Sequence, residues 1–485
     1  MNKCKCQDPI ENLDRIFLYF KISKVLMKAD IKGIDTGERD ILHLKDLDEM
    51  GLEKSVKYFA KIAELNKKIG EYVFLRGWVY RHRITGSMAF VVLRDGTGTV
   101  QCSINKDLVD SDSWKAANDV YIESAIELAG NVVEDKRAPG GIEVRVKEFE
   151  IIFKGEPFPI SKDLSTEFLL DVRHLWVRSP KMVDIFKVKS AVIDAAREFF
   201  KERDFLEVQP PLLTSSAVEG GSTLFEVNYF TRKAYLSQSA QLYLEALIYG
   251  YPLVYSLTPS FRAEPSRTPR HLTEFWHLEA EMAFYNQNMN MKLQEELLEH
   301  ICHSVAKKYP DILKKFGRDY KDLLEIQTPF EHITYEKALN ILKDKGLNVG
   351  WLDGLGLDEE KALMQDRKQP IFLTNQPREI RAFYMKINPD DPRTVLDADL
   401  LAPEGIGEIF GGSERISDYN ELISRLKEQN LKEEDYKWYI DLRKYGSVPH
   451  SGFGMGTERV VRWILKLESI RDAVPFPRTI NRLTP

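Results

Sequence analysis

The segment FRAEPSRTPRHLTEFWHLEAEMAF, from Phe261 to Phe284, gathers Arg262, Glu264, Arg267, Arg270, His271 and Glu274 and closes on Phe275 and Trp276. Guanidinium forks make bidentate, permanently charged bonds to phosphate oxygens, and an aromatic face beside them suits a base. The chemistry expected is the grip of a polyanion that carries a flat ring. A surface helix would space its charges near every fourth residue, with an apolar stripe between them. Pro265 and Pro269 break any such helix. The segment therefore predicts strand, basic loop, strand, with Arg262 and Glu264 on one face of the first strand. A surface hairpin with scattered ion pairs is the alternative.

A second phosphate signal lies in GSVPHSGFGMGTERVVRWIL, where Gly452, Gly454 and Gly456 precede Glu458 and Arg459. Glycines at alternate strand positions allow a ligand or another backbone to approach closely. A helix should then begin near Glu458, with Arg459 in its first turn, where a cation opposes the helix dipole unless an anion meets it. A third segment, FFKERDFLEVQPPLL, predicts a helix leading into a strand that contains Pro210 and Pro211, hence an edge or an interface.

These segments need elements to hold them. Residues 1–68 are rich in lysine and acid, with apolar positions at helical spacing, and predict a helical extension; Lys21, Lys24 and Lys28 read as a solvated face. Residues 69–155 alternate apolar and polar, turn at DGTG and APGG, and predict a small antiparallel barrel. A hinge is expected over 156–180. Residues 181–485 mix strands and helices without regular alternation, and contain neither GxGxxG after a strand nor GxxxxGK[ST]. That excludes the doubly wound and P-loop nucleotide folds and predicts an α+β domain.

Composition sets the limits. With 485 residues, 43% hydrophobic and 30% charged, the chain is long enough for two or three globular domains. The net charge of −6 means that any nucleic-acid contact must use local basic patches. Cys4, Cys6, Cys102 and Cys302 form no disulfide framework or zinc pattern, and no apolar run is long enough to span a bilayer. A reducing, cytoplasmic setting without membrane association is the expectation.

In chain order, the Pro210 segment, the Arg262 segment and the glycine–Arg459 segment resemble motifs 1, 2 and 3 of the class II aminoacyl-tRNA synthetases. With a barrel ahead of them, residues 70–485 resemble the aspartate, asparagine and lysine subgroup. That resemblance implies an antiparallel catalytic sheet flanked by helices, an anticodon-binding OB-fold, a homodimer built on motif 1, ATP as substrate and Mg²⁺. It also assigns roles. Arg262 would contact the α-phosphate, and His271 and Arg459 the γ-phosphate. Phe275 would stack on adenine, and Glu264 and Arg270 would complete the ATP site. Asp399 and Glu408 would hold magnesium. Glu219 of VEGGS and Gln241 would take the amino group of the substrate amino acid.

QSAQLYLEA carries Leu244 and Glu245 where aspartate enzymes typically have a lysine. A carboxamide NH₂ can donate to a glutamate, whereas a substrate carboxylate would be repelled. The expectation is therefore asparagine and tRNA(Asn) as substrates, with the side chain between Glu245 and Arg415. On the barrel, Phe90, Gln101 and Glu143 match positions that bind the central anticodon uridine, with Arg81 and Arg83 near the phosphates. Asn375-Gln376-Pro377 departs from the Asp-Tyr-Pro often found in the family, and Pro265 stands in the motif 2 loop. The competing readings are an aspartate enzyme charging both tRNAs, an asparagine-making amidoligase, and an inactive RNA-binding relative.

Overall fold

Alternating burial along five strands closes the first sheet on itself. In the computed structural model, which describes residues 58–160, 164–215, 218, 223–265, 268 and 270–485, the chain divides into two units, Met1–Lys162 and Asp163–Pro485. Strands β1 (Tyr72–Thr85), β2 (Met88–Arg94), β3 (Thr99–Asn105), β4 (Ala125–Glu134) and β5 (Ile142–Phe153) form a closed barrel in the order β1-β2-β3-β5-β4. Val79, Val91, Leu93, Ile104 and Val144 point inward and are fully buried. Helix α1 (Ser111–Asp119) lies between β3 and β4 in the chain, its first turn capped by Asp110 accepting from the Ser113 amide at 2.7 Å. The expected boundary at residue 69 is displaced: Ile62 and Leu65, on a short 3₁₀ turn, are part of the barrel core. The remaining 57 residues of the expected helical extension lie outside the described residues.

The second unit is built on an eight-stranded sheet. Its strands, from edge to edge, are β12 (Glu331–Thr334), β13 (Ile371–Thr374), β14 (Asp397–Ala402), β15 (Gly407–Glu414), β16 (His450–Gly456), β11 (Glu274–Ala283), β10 (Leu253–Phe261) and β6 (Leu206–Glu207). In this sheet, among the described residues, only the pairs β12–β13 and β10–β6 are parallel, so the α+β expectation holds. Strands β7 (Leu213–Thr214), β9 (Arg232–Leu236) and β8 (Glu226–Tyr229) make a small side sheet.

Helices α2 (Pro180–Lys201), α3 (Gln241–Leu247), α4 (Gln287–Lys308), α5 (Leu357–Met364), α6 (Lys437–Lys444) and α7 (Thr457–Ile464) matter for the site. Ser179 caps α2 by accepting from the Met182 amide, and Pro180 occupies its first position. Val188, Val192, Phe199 and Phe200 of α2 pack in one core with Leu297, Leu298 and Ile301 of α4. From β11 the same core takes Leu278, Ala280 and Met282. Full burial of each such large side chain is worth about 1.5–3 kcal/mol. Because strand side chains alternate, the same burial turns His277, Glu279 and Glu281 to the opposite face, where the cavity lies.

Two local expectations are corrected. Strand β6 ends at Glu207, so Pro210 and Pro211 lie beyond it, as the missing proline donors require. Strand β10 ends at Phe261; the Arg262 amide adds one more ladder bond to the Thr273 carbonyl at 3.0 Å, and Glu264 lies in the loop.

Candidate active site

A cavity of about 760 Å³ opens on the sheet face formed by β11, β14, β15 and β16. It brings together Gln241, Arg262, Glu264, Arg270, His271, Phe275, Asp399, Glu408, Arg415 and Arg459. Glu219 and Arg267 lie outside the described residues. Glycine makes this face possible. A Cβ on Gly454 would sit 2.3 Å from His277 Nε2, and one on Gly452 would sit 2.0 Å from Glu281 Oε2. The alternating glycines of β16 therefore admit the polar side chains of the neighbouring strand.

One end of the cavity is cationic. The Arg262 guanidinium carbon stands 5.5 Å from the centre of the Phe275 ring, which is backed by Leu272, Ile470 and Val474. His271 Nε2 is 3.5 Å from Glu264, and its Nδ1 faces the Thr268 hydroxyl. Burial lowers the His271 pKa, and Arg459, Arg270 and Arg262 push it the same way against Glu264. Arg270 reaches the cavity wall while its Nη2 donates to Glu360 of α5 at 2.8 Å. Arg459, in the first turn of α7, donates from Nη1 to the Glu408 carbonyl at 2.9 Å and lies 3.2 Å from its carboxylate.

Two acids face each other across Gly411. A Cβ built there would meet Glu408 Oε1 at 3.2 Å and Asp399 Oδ1 at 3.4 Å. Burial pushes the Asp399 carboxyl up to about 7; Glu408 and Asp397 add to the rise, and Arg381 opposes it. Burial also works against the charge of Glu408, yet Arg459, Arg381 and Arg262 outweigh it and lower that pKa. Arg381 Nη2 donates to Asp399 Oδ1 at 2.8 Å, and its Nε lies in an ion pair 2.8 Å from Asp397. Gln376, the departure noted in the sequence, donates to Asp399 at 2.7 Å.

The floor near β16 is where the sequence reading needs correction. Glu245 does not line the cavity: it is fully buried, one helical turn behind Gln241 on α3. Its Oε2 accepts from Arg443 Nη2 at 2.6 Å and Tyr439 Oη at 2.7 Å and lies 2.9 Å from His450 Nε2, and its Oε1 accepts from Gln241 Nε2 at 3.0 Å. A carboxylate so engaged has no approach left for a substrate. The acid beside Arg415 is Glu281, held by Arg415 Nε and Nη2 at 3.0 Å each, while Nη1 donates to Ser413 at 2.7 Å. Glu279, next on the same face of β11, accepts from the Ser239 hydroxyl and from the Ala240 amide at 2.8 Å. Glu281, Glu279, Arg381 and Glu360 were missed in the sequence. For the first two a signal existed: HLEAE puts His277, Glu279 and Glu281 on alternate positions of a strand whose other face is apolar.

On the barrel, Phe90 of β2 pairs with Arg83 and Ser103 across its two neighbours, with the Arg83 guanidinium 4.8 Å from the ring centre. Gln101 pairs with Glu143 of β5 and donates to it at 2.8 Å, and Ser103 Oγ donates to the same carboxylate at 2.7 Å. Phe90, Gln101 and Glu143 are thus brought onto one outer face.

A triphosphate-sized cationic cleft on an antiparallel sheet, with a stacking ring and an acid pair, defines the class. Residues 165–480 match the tRNA synthetases class II (D, K and N), and residues 73–152 match the OB-fold nucleic acid binding domain. The chain belongs to the class II tRNA synthetases of this D, K and N group. Within the group, several relatives similar over most of the chain are asparagine enzymes. The asparagine–tRNA ligase of Thermococcus kodakarensis is 52% identical over 86% of this chain and 96% of its own length. That of Thermoplasma acidophilum is 46% identical over 87% and 99%. The crystal structure of asparaginyl-tRNA synthetase from Pyrococcus horikoshii complexed with asparaginyl-adenylate matches with a TM-score of 0.86 at 48% identity, covering 89% of this chain and all of that one.

Proposed function

We infer that the chain is an asparagine–tRNA ligase, activating asparagine with ATP and passing it to the 3′ end of tRNA(Asn). The observation that carries this reading is the Glu281–Arg415 pair in the cavity wall. With three of its five N–H groups engaged, Arg415 keeps one on Nη1 and one on Nη2 for a side-chain oxygen. Glu281 beside it accepts from an NH₂. A carboxamide satisfies both; a carboxylate would set a second negative charge against Glu281.

In the first step an oxygen of the asparagine α-carboxylate attacks the α-phosphorus of ATP, the bond to the β-phosphate bridging oxygen breaks, and pyrophosphate leaves. In the second, the terminal ribose hydroxyl of the tRNA attacks the acyl carbon and AMP departs. Arg262 holds the α-phosphate, His271 and Arg459 the γ-phosphate, and Phe275 stacks on adenine with Glu264 and Arg270 beside it. Glu219 and Gln241 take the α-amino group. Orientation of this kind supplies about 7–11 kcal/mol of barrier lowering, so no covalent enzyme intermediate is required. Asp399 and Glu408, crowded over Gly411, offer the hard oxygen donors that Mg²⁺ prefers. Bound there, the ion would neutralise charge on the polyphosphate.

The same reading includes anticodon recognition by Phe90, Gln101 and Glu143, and a symmetric homodimer. Support for the dimer comes from β6, which forms the open edge of the large sheet, and from Leu206, Leu212 and Leu213, which are exposed beside Pro210 and Pro211. Cytoplasmic location belongs to this reading too; among the described residues no helix is long and apolar enough to cross a membrane. The test is ATP–pyrophosphate exchange with purified protein and Mg²⁺. Asparagine-dependent exchange is the expected result, and exchange driven equally by aspartate would overturn the assignment.

A further inference from the structure

Behind the cavity floor lies a second acid–base pair that no step of the reaction uses. Glu245 and Arg443 are both fully buried, joined at 2.6 Å, and neither lines the cavity. Burying an ion pair brings no automatic gain in stability, since desolvation offsets the attraction. The position of this pair therefore asks for another reason. A carboxylate oxygen of Glu245, one of Glu281 and a ring nitrogen of His450 all lie within 4.8 Å of one another. The field of Glu245 thus falls directly on the Glu281–Arg415 pair that meets the substrate side chain. Arg443 answers that field: Nη2 is on Glu245, Nε donates to the Ile416 carbonyl at 2.8 Å, and Nη1 is buried with no hydrogen-bond partner among the described residues. Glu245 and Glu281 are thus two acids set against two bases, Arg415 and Arg443.

We propose that Glu245 and Arg443 are positioning residues that set the choice of asparagine over aspartate without touching either. They match one added acid with one added base behind the Glu281–Arg415 pair, and Glu245 also anchors Gln241 at the cavity wall. One donor fork and one acceptor, with the charges behind them paired, suit a neutral carboxamide. A floor with a surplus positive charge would welcome a carboxylate instead, and one with a surplus negative charge would reject it more strongly. The proposal rests on the asparagine-activating reading and adds a sign to it: removing the acid and removing the base must shift selectivity in opposite directions.

The experiment measures, in asparagine-dependent ATP–pyrophosphate exchange, the inhibition constant of aspartate divided by the KM of asparagine. The variants are Glu245→Gln, Arg443→Met, the double variant and Glu245→Asp, each checked for folding by circular dichroism and thermal melting. For Glu245→Gln the ratio is expected to fall by about tenfold or more, as one uncompensated charge a few ångströms away implies. For Arg443→Met it is expected to rise. In the double variant and in Glu245→Asp it should return to within about threefold of wild type. A purely structural role would lower melting temperature and activity and leave the ratio where it was, and that result overturns the proposal, as does a shift of both single variants in the same direction. Should a single variant not fold, the double variant decides, because a tenfold change there contradicts a charge-balance origin. A wild-type protein inactive with asparagine would instead strike the underlying functional reading.

Discussion

Replacing Glu281 by glutamine tests the floor of the pocket most directly. Bound aspartate would place a second carboxylate about 4 Å from Glu281, which at an effective dielectric near 20 costs about 4 kcal/mol, or close to 10³ in discrimination. Glutamine removes that charge and can present either its NH₂ or its oxygen. Asparagine loses one charge-assisted hydrogen bond, worth about 1.5–3 kcal/mol. The expected outcome is a drop of about 10–100-fold in kcat/KM for asparagine and a larger relative gain for aspartate, so that the preference falls by about 10²-fold or more. Glutamine also leaves Arg415, 4% exposed, without its bidentate partner. Breaking such a pair costs about 3–5 kcal/mol of stability. The assay is pyrophosphate exchange with each amino acid, run well below the melting temperature of the variant, with ATP saturating. If the preference moves by less than about threefold while the protein stays folded, Glu281 does not read the substrate side chain and the reasoning fails.

Four further outcomes follow from the same geometry. Gly452→Ala should mimic Glu281→Gln, because its Cβ would sit 2.0 Å from the Glu281 carboxylate and displace it, so the KM of asparagine rises while ATP binding, measured by equilibrium dialysis, changes little. Asp399 is raised to about 7 in the fold, so its proton is held natively and lost on unfolding; its contribution favours the fold below about pH 4 and is lost as pH rises through 7. Mg²⁺ competes with that proton, and the Mg²⁺-dependent gain in Tm should therefore grow between pH 5 and about 8 and vanish in Asp399→Asn. Phe90→Ala should raise the KM for tRNA by about 10–100-fold, from about 1–3 kcal/mol of lost stacking, and leave tRNA-independent exchange untouched. Glu360→Gln removes the buried partner of Arg270 and should raise the KM of ATP more than that of asparagine, with about 3–5 kcal/mol less stability by chemical denaturation.

What the sequence discloses follows the length scale of each signal. The cationic hairpin and the glycine strand are legible because their chemistry is local: Arg262, His271 and Phe275 lie within fifteen residues, and Gly452 to Arg459 within eight. The barrel is legible because period-two alternation over β1 to β3 extends far enough to be seen. Glu245 misleads for a geometric reason. It follows Gln241 by one helical turn, so both share a face of α3, but only the outer of the two reaches the cavity. Nothing in QLYLEA tells how deep that face is buried. The true neighbour of Arg415 is 134 residues away in the chain and becomes adjacent through the pairing of β16 with β11 on one side and with β15 on the other. The Arg270–Glu360 bond similarly joins segments 90 residues apart.

The cavity is divided electrostatically, and the division bears on how the substrates are held. At the end proposed for the triphosphate, Arg459 lies 3.2 Å from Glu408, Arg270 2.8 Å from Glu360, and His271 3.5 Å from Glu264. A polyphosphate must share or take over these partners, so its affinity is a difference between two sets of charge contacts. Arg459 in particular can turn toward phosphate once the Glu408 carboxylate has another cation to face. At the end proposed for the amino acid, the Glu281–Arg415 fork is bidentate, buried and backed by Glu245 and Arg443, which on that reading makes it a fixed gauge for the substrate. Rigid discrimination at one end and exchangeable partners at the other suit a reaction in which the amino acid is retained through two steps while pyrophosphate must leave after the first. Asparagine needs to be recognised once and held; the triphosphate needs to be gripped and then released. Ion pairs that can re-form within the protein when pyrophosphate departs leave no cation stranded in the cleft, which lowers the cost of that release.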